Sequence, residues 1–259
     1  MIMIVFIIGS FACLFVGWFV WMFVNAHLTR VLDQQIILDQ SPNAMFRFLF
    51  ISDVHRRKLT QRWKNKVTKP VDIICIGGDF AERGVSPKTV RWNLQLLRSI
   101  APIVYVWGNN DREIGEDMMR KLLKEVDATI LDNEVIPFPN HSDWGIVGVD
   151  DPSSHRANAS IAAEKAKDYP RILYIAHSPV MLSKMLPIRR PDIAAVGHTH
   201  GGQIQLGRWS LHPEGNLVVE NSHATLISNG YGTTFLPLRW KSLPESHIIE
   251  VHYQRRSIK

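Results

Sequence analysis

The stretch IAAVGHTHGGQI, residues 193–204, places two histidines between glycines directly after a short apolar run. The four apolar residues and the glycine that follows them predict a buried strand ending at Val196. His198 and His200 stand two positions apart in the turn, so both imidazoles are expected near one point. A single histidine after a strand is usually an ordinary hydrogen-bonded residue, so the rest of the chain must decide what this pair does.

Four other apolar runs end in the same kind of polar residue. Asp53 and His55 follow FRFLFIS, Asp79 follows VDIICIGG, Asn109 and Asp111 follow IVYVWG, and His177 follows RILYIA. One aspartate after a strand is usually a helix cap or a turn residue. In α/β folds, however, ligands bind beyond the carboxyl ends of the strands. Five strands that end in metal-ligand residue types therefore predict one shared site.

The predicted ligand set contains two carboxylates, one amide oxygen and four imidazoles. One metal ion needs fewer protein ligands than this, whereas two ions that share a bridging carboxylate would use them all. Two cations about 3.5–4 Å apart can stabilise in-line displacement at phosphorus. Mixed oxygen and nitrogen ligands without a thiolate favour Mn, Fe, Co or Zn.

In this order, the motifs Asp-x-His, Gly-Asp, Gly-Asn-x-Asp, a lone His and Gly-His-x-His resemble the calcineurin-like metallophosphoesterases over about residues 46–253. The segments HSP, GHTHGGQI and SNGYGTTFLPLRWKSLPESHIIEV look most like the bacterial YkuE-like branch. The resemblance implies a four-layer α/β/β/α sandwich. It also implies hydrolysis of phosphoric esters by a metal-bridging hydroxide.

The same resemblance assigns roles to the predicted residues. Asp53, His55 and His200 would hold one metal, and Asn109, His177 and His198 would hold the second. Asp79 would bridge the two. The family usually has histidine and an acid at the positions of Asn110 and Asp111, where the histidine assists the leaving group and the acid orients it. Asn110 and Asp111 are therefore the candidate catalytic pair, although an asparagine can donate a hydrogen bond but cannot deliver a proton.

The remaining pattern predicts alternating strands and helices, followed by β-hairpins. The apolar positions Leu59, Trp63 and Val67 recur at helical spacing. The predicted strands are 46–51, 71–76, 103–106, 144–149, 171–176, 193–196, 203–206, 217–220, 224–228 and 246–253. The predicted longer helices are 87–100, with Val90, Leu94 and Leu97 inward, and 114–126.

The first part of the chain is apolar, and residues 2–24 contain no charged side chain. About 20 such residues are enough for a helix to cross a bilayer. The division predicted is a transmembrane anchor over 1–25, a linker over 26–44 and a metallophosphoesterase domain over 45–259. A cleaved signal peptide is the alternative, but no Lys or Arg n-region precedes the segment.

The charges near the anchor indicate an orientation. Arg30 and later basic residues follow the anchor, which favours a cytoplasmic catalytic domain. An exported enzyme acting at the cell wall is the rival hypothesis. The two cysteines, Cys13 and Cys75, form no cluster that suggests a thiolate metal site.

The net charge of +6 is concentrated near the predicted site, because residues 56–69 contain seven basic side chains and no acidic one. Arg56 and Arg57 follow His55 and have the shape that phosphate binding uses. The segment can be a solvated face or can contact anionic lipid headgroups. Nucleic-acid binding is disfavoured, because aromatic residues do not interleave with the basic ones.

These observations predict a membrane-anchored, two-metal phosphoesterase of phosphorylated small molecules or lipids, with mono-, di- and pyrophosphate-linked esters all open. No obligate protein partner is evident. The alternative is a metal-stabilised scaffold of the same fold with weak catalysis, an idea that Asn110 supports and the complete ligand set opposes.

Overall fold

The structure, a computed structural model, describes residues 2–205, 212–220 and 222–255. In this part of the chain two six-stranded sheets form the centre of the molecule. The strands are β1 Val31–Ile37, β2 Ala44–Ile51, β3 Ile73–Gly77, β4 Ile103–Val106, β5 Thr129–Ile130, β6 Glu134–Phe138, β7 His141–Val149, β8 Arg171–Ala176, β9 Ile193–Val196, β10 Asn216–Glu220, β11 His223–Ile227 and β12 Ser246–Tyr253. The α-helices are α1 Ile2–Ala26, α2 Gln61–Lys64, α3 Pro87–Arg98, α4 Glu116–Lys124, α5 Ala159–Lys165 and α6 Pro179–Met185.

The strand order brings several carboxyl ends to one edge of each sheet. The first sheet has the order β1-β12-β2-β3-β4-β5, and β2, β3 and β4 run parallel. The second has the order β10-β11-β9-β8-β7-β6, with β7, β8 and β9 parallel. Parallel strands end on the same side, so the residues after β2, β3 and β4 are neighbours, as are those after β8 and β9.

Three apolar cores separate four layers. The side chains of β2 show the division, since Phe46, Phe48 and Phe50 lie between the two sheets while Leu49 and Ile51 face α3 and α4. Successive residues of a strand point to opposite faces, so one strand supplies both cores. The third core packs α5 and α6 on the outer face of the second sheet. This arrangement confirms the predicted α/β/β/α sandwich.

The start of helix α3 is fixed by the local sequence. The Ser86 side chain accepts a hydrogen bond from the Thr89 amide, and Pro87 occupies the first turn, where its missing N–H costs nothing. The predicted inward residues Val90, Leu94 and Leu97 are all buried. Their side chains cover the outer face of the first sheet.

Three local predictions were wrong or incomplete. The spacing of Leu59, Trp63 and Val67 does not form one helical face, because α2 is a single turn that contains only Trp63. The three side chains reach the same core from a largely irregular chain.

Residues 203–205 form only an isolated bridge between Ile204 and Trp240, and Leu206 lies outside the described residues. The predicted helix 114–126 is a 3₁₀ turn, Asp111–Ile114, followed by α4; Gly115, with φ of 95°, separates them.

The segment assigned to a linker, 26–44, contains β1. This edge strand pairs in parallel with β12, and its polar centre Asp33-Gln34-Gln35 hid it from a hydrophobic pattern. Before it, α1 is long and apolar enough to cross a membrane, a property that a signal sequence shares. Most of α1 is exposed, but its last residues Met22, Asn25 and Ala26 are buried against the rest of the protein. The boundary at residue 45 stays a prediction.

Candidate metal centre

The structure brings all seven predicted ligands to the carboxyl ends of five strands. β2 supplies Asp53 and His55, β3 supplies Asp79, β4 supplies Asn109, β8 supplies His177, and β9 supplies His198 and His200. Asn109 is half-buried and His198 exposed, and the other five are buried. The cluster therefore spans both sheets and opens to solvent on the side of His198.

The backbone at this cluster is unusual. Asp53, His55, Asp79, His198 and His200 have φ of 53°, 51°, 49°, 73° and 50°. A non-glycine residue rarely adopts a positive φ, and such residues concentrate at functional sites. The turns after β2, β3 and β9 thus direct these side chains back across the strand ends.

Two glycines leave room for this approach. A Cβ atom at Gly108 would collide with the Asp79 carboxylate, and one at Gly197 would lie 2.5 Å from Asp53 Oδ2. Only a residue without a side chain lets β4 and β9 come this close to the carboxylates. The glycines that precede Asn109 and His198 are therefore part of the site's construction.

The first group of ligands is Asp53, His55 and His200. His55 Nε2 lies 3.1 Å from His200 Nε2, and His200 Nε2 lies 3.3 Å from Asp53 Oδ1. On the other side of the His55 ring, Nδ1 lies 2.8 Å from Glu82 Oε2. A carboxylate beside Nδ1 favours the proton there and leaves the Nε2 lone pair directed at the group.

The second group is Asn109, His177 and His198. Asn109 Oδ1 lies 3.1 Å from both His177 Nε2 and His198 Nδ1, and those two nitrogens are 3.0 Å apart. The opposite nitrogen of His177, Nδ1, lies 2.9 Å from the Gly77 carbonyl oxygen. A carbonyl only accepts, so Nδ1 of His177 carries a proton, and Nε2 would offer its lone pair to a cation that displaces the second proton.

Asp79 lies between the two groups. Its Oδ2 is 3.8 Å from His55 Nε2 in the first group and 3.4 Å from His177 Nε2 in the second. One carboxylate within reach of both sets of imidazoles has the position that a bridging ligand requires.

The residues fit divalent cations on two grounds. Lone pairs of adjacent ligands face one another at about hydrogen-bond distance, an arrangement that a shared cation stabilises. The charges act in the same direction: burial lowers the pKa of His177, but Asp79 and Asp53 outweigh it and raise the pKa to about 10. The overlapping sets Asp53-His55-His200 and Asp53-Asp79-His177 could each hold an ion.

His200 has the protonation state that a ligand needs. Burial is the main cause that lowers its pKa to about 3, with the neighbouring His55 and Arg239 acting in the same direction. The ring is therefore neutral at physiological pH, and a metal binds neutral imidazole.

Asn110 directs its amide at the central carboxylate. Its backbone N–H donates to Asp79 Oδ1 and its side-chain Nδ2 donates to Asp79 Oδ2, each at 2.8 Å. The side-chain amide of this candidate catalytic residue thus contacts a proposed metal ligand. Its catalytic role stays a prediction.

Asp111 lies in a different environment from the one the sequence suggests. Its side chain is fully buried and accepts hydrogen bonds from the amides of Gly108, Asp79 and Ala81 at 2.7, 2.8 and 3.0 Å. These contacts hold the turn after β4 against the turn after β3, and the catalytic role assigned to Asp111 stays a prediction.

The two candidate substrate-binding arginines are not equivalent. Arg56 is largely exposed and pairs with Glu82. Arg57 donates to the carbonyl oxygens of His27, Leu28 and Tyr231 and lies over the Tyr231 ring. The guanidinium of Arg57 thus binds the segment after α1 and Tyr231, and substrate binding by Arg57 stays a prediction.

Three residues near the centre were missed by the sequence analysis. Glu82, beside His55, follows Asp79 by three residues in the same turn, a signal that could have been used. Asp151 follows the end of β7, and its charge raises the pKa of His177. Arg239 is buried and donates to the carbonyl oxygens of Asn229, Gly232 and Ser242 beneath His200. Arg239 has no local sequence signal, because it lies far along the chain from His200.

A family model described as calcineurin-like phosphoesterase matches residues 46–202. The uncharacterized protein YpbG of Bacillus subtilis (strain 168) is 35% identical over 203 residues, covering 77% of this chain and 78% of the relative. The uncharacterized metallophosphoesterase YkoQ of the same organism is 27% identical over 246 residues, covering 85% and 90%. The relatives are consistent with the YkuE-like branch.

The crystal structure of a 5'-nucleotidase precursor from Thermus thermophilus is similar in fold. It matches with a TM-score of 0.50 and 14% identity, over 81% of this chain and 55% of that one. At this identity the similarity concerns the fold alone.

Proposed function

The chain belongs to the calcineurin-like phosphoesterase family and is a metal-dependent hydrolase of phosphoric esters, and from this premise we propose that it is a membrane-anchored enzyme with a two-metal centre. The substrates proposed are phosphate mono-, di- or pyrophosphate-linked esters. The observation that supports the proposal most directly is the position of Asp79 between two converging ligand groups.

The proposed ligand sets follow the two groups. Asp53, His55 and His200 hold one cation, Asn109, His177 and His198 hold the other, and Asp79 bridges them. When bound, two such cations activate water as a nucleophile and neutralise charge on the phosphoryl group. Mn, Fe, Zn and Co all suit these donors.

The chain's own groups prepare the ligands. The Gly77 carbonyl and the Glu82 carboxylate fix which ring nitrogen of His177 and His55 faces the centre. We assign Asp111 to positioning, because its backbone contacts hold Asp79 and Gly108 together. Arg56 is the better placed of the two arginines to meet a substrate phosphate, since its side chain is largely exposed.

The asparagine at position 110 predicts which ester leaving groups the enzyme prefers. Its amide can donate a hydrogen bond to an oxygen but cannot protonate a departing alkoxide. Aryl esters, whose leaving groups need no proton, should therefore be hydrolysed faster than alkyl esters. Asn110→His should help alkyl esters more than aryl esters, and an equal effect on both would count against this role.

Helix α1 is the basis for proposing that the protein is anchored in a membrane. The helix is apolar and of spanning length, and the basic residues that follow it favour a single-pass protein whose domain, 45–259, is cytoplasmic. Exposure of the domain to added protease on intact cells would indicate export instead.

The decisive experiment compares Asp79→Asn with Asp168→Asn, a change at an exposed aspartate, in the detergent-purified full chain. Bound Mn²⁺ and turnover of aryl monoesters, aryl diesters and pyrophosphate esters are measured on the same samples. Loss of the bridging ligand should reduce turnover by at least about 100-fold, since even second-shell changes at metal sites cost 10–100-fold. The Asp168 variant should match the wild type.

Two results would contradict the proposal. Turnover that survives Asp79→Asn unchanged would exclude the two-metal arrangement. Two bound ions with no turnover of any ester would favour the alternative, a metal-stabilised scaffold with weak catalysis.

A further inference from the structure

The segment between Gly230 and Trp240 connects the metal centre to α1. At its start, the Tyr231 and Gly232 amides donate to the carbonyl oxygens of Ser52 and Asp53 at 3.0 and 2.6 Å. At its end, the Arg239 amide donates to the Met22 carbonyl oxygen of α1 at 3.1 Å. Its position is thus fixed both at the metal centre and at the proposed membrane anchor.

The tip of this segment is a built loop. Gln203 Nε2 donates to the carbonyl oxygens of Thr234 and Leu236 at 3.0 and 2.9 Å, and Gln203 Oε1 accepts from the Thr234 amide at 2.9 Å. Gln203 follows His200, a proposed metal ligand, by three residues. One side chain next to the metal centre therefore holds the backbone of the loop tip, residues 233–238, at Thr234 and Leu236.

The loop tip presents apolar side chains outward. Phe235 is 98% exposed and Leu236 is 56% exposed, and the backbone of Phe235 has φ of 57°. Burial of such a side chain in an apolar environment is favourable. A loop held by three hydrogen bonds that exposes two large apolar residues points to an apolar environment outside the protein.

The loop tip lies at the level where α1 would leave a bilayer. A hydrocarbon core of about 30 Å takes about 20 helical residues, so a span that starts at Ile2 ends near Trp21. At this level the Trp240 ring contacts Trp18 and Trp21 at 5.3 and 4.7 Å. Leu236 precedes Arg239, which binds Met22, by three residues and so lies within about 11 Å of that contact.

The surface around the exit of α1 is basic. Arg56 and Lys58 are exposed and, together with His27, Glu82 and Phe235, line a cavity of about 480 Å³. Lys66 Nζ donates to the Thr29 carbonyl oxygen just beyond α1. Basic residues near a membrane surface attract anionic lipid. Glu82 belongs both to this cavity and to the surroundings of His55, so the basic surface adjoins the metal centre.

We propose that the loop tip, with Arg56 and Lys58 beside it, docks on an anionic phospholipid surface and thereby holds the side of the domain that carries Glu82 at the headgroup layer. This inference rests on the proposed anchoring by α1. It adds a second membrane contact, which fixes the tilt of the domain on the bilayer instead of leaving the domain free on a tether.

The test measures depth in the bilayer. The full chain is placed in nanodiscs of phosphatidylcholine with phosphatidylglycerol, and a nitroxide label is attached at single cysteines. Phe235→Cys is compared with Ile188→Cys, each in a Cys13→Ser background; Cys75 is buried and does not react. Ile188 is the matched control, because it is apolar and 50% exposed. It lies before the amino end of β9, whereas the proposed metal ligands follow the carboxyl end of that strand.

In these nanodiscs, collisions of the label at residue 235 should be dominated by oxygen. Collisions of the label at residue 188 should be dominated by a water-soluble nickel chelate. Chelate-dominated collisions at both positions would overturn the proposal. The excess of oxygen collisions at residue 235 should weaken in phosphatidylcholine alone, and an identical excess there would overturn the role of anionic lipid.

A label on native Cys13, exposed within α1, distinguishes failure of this inference from failure of the anchoring. If the label at Cys13 collides mainly with oxygen while the label at residue 235 collides mainly with the chelate, the anchor stands and the second membrane contact is ruled out. If the label at Cys13 collides mainly with the chelate, the anchoring itself is ruled out. Turnover is not measured, so the outcome does not depend on the phosphoesterase activity.

Discussion

Two carboxylates in adjacent turns, Asp79 and Asp111, have opposite surroundings. Asp79 faces imidazoles and the proposed cations, while Asp111 faces backbone amides. Burial, helped by the nearby charge of Asp79, raises the pKa of Asp111 to about 6. The hydrogen bonds from the Gly108 and Ala81 amides act against this increase. The residue type is the same at both positions, and the neighbours decide the role.

Replacing Asp111 should mainly affect stability. In Asp111→Asn the new amide group must face one of three backbone N–H donors, which leaves a buried donor without an acceptor. Such a group costs about 1–3 kcal/mol. Urea unfolding of the detergent-purified chain, in the presence of a chelator, should show a loss of this size. The exposed Asp168→Asn should change little, and an equal loss in both variants would contradict the positioning role.

At the scale of elements, the start of α4 is fixed by a cluster of charges. Glu116 accepts hydrogen bonds from Arg112, Arg120 and Arg156 at 3.0, 2.8 and 2.6 Å. The hydrogen bond from Arg156 is the largest cause that lowers the pKa of Glu116 to about 2. This cluster ties the turn after β4 to α4 and to the loop after β7.

The depressed pKa predicts a pH dependence. Because Glu116 is more acidic when folded, its contribution is complete above about pH 4.5 and is lost as the pH falls towards 2. Solvent screening limits that contribution to about 1 kcal/mol. Wild type should exceed Glu116→Gln by this amount at pH 6, and in urea unfolding the gap should narrow as the pH falls below 4.5 and close near pH 2.

Glu164→Gln is the matched control, because its side chain on α5 is 70% exposed. It should show a smaller gap at pH 6. A gap for Glu116→Gln that stays constant from pH 6 to pH 3 would show that charge is not the cause.

The end of α1 is also held in place by specific contacts. Arg57 donates to carbonyl oxygens in the segment that follows the helix, and cations stabilise such termini. The proposed anchor therefore continues into the folded domain through specific contacts, a condition that the proposed lipid contact at residues 233–238 requires.

At the scale of the whole molecule, the metal centre joins the two sheets. His55 and Asp79 come from the first sheet, and His177 and His198 come from the second. A cation held by both should therefore stabilise the packing of one sheet on the other.

Metal removal should consequently lower the melting temperature. A ligand at a hundredfold excess over its Kd stabilises the native state by about 2.7 kcal/mol, which for a chain of this size corresponds to about 5–10 °C. Calorimetry with Mn²⁺ and then with chelator measures the shift. His177→Ala should reduce the shift, whereas His223→Ala, which removes a ring beside the Pro191 carbonyl oxygen at the other edge of the sheet, should keep it. Equal shifts in both variants would place the metal elsewhere.

Local patterns in the sequence predicted the α/β alternation and the seven proposed ligands, whereas the four-layer sandwich was implied by the family resemblance. Apolar runs mark buried strands, and the residue after each parallel strand must lie at the same edge. The sequence-based prediction failed at α2, where a single helical turn stands in place of the predicted helical face. It also failed at β1, where the polar residues Asp33 and Gln34 conceal an edge strand.

Only the tertiary structure decided what each polar group faces. Asp111 is directed into backbone amides, Arg57 to the segment after α1, and Asn110 to Asp79, and none of these choices follows from spacing along the chain. They depend on contacts between residues far apart in sequence, such as Arg57 with Tyr231. Local composition therefore determined which side chains gather at the sheet edges, and the packing of distant segments determined which of them remain free to bind.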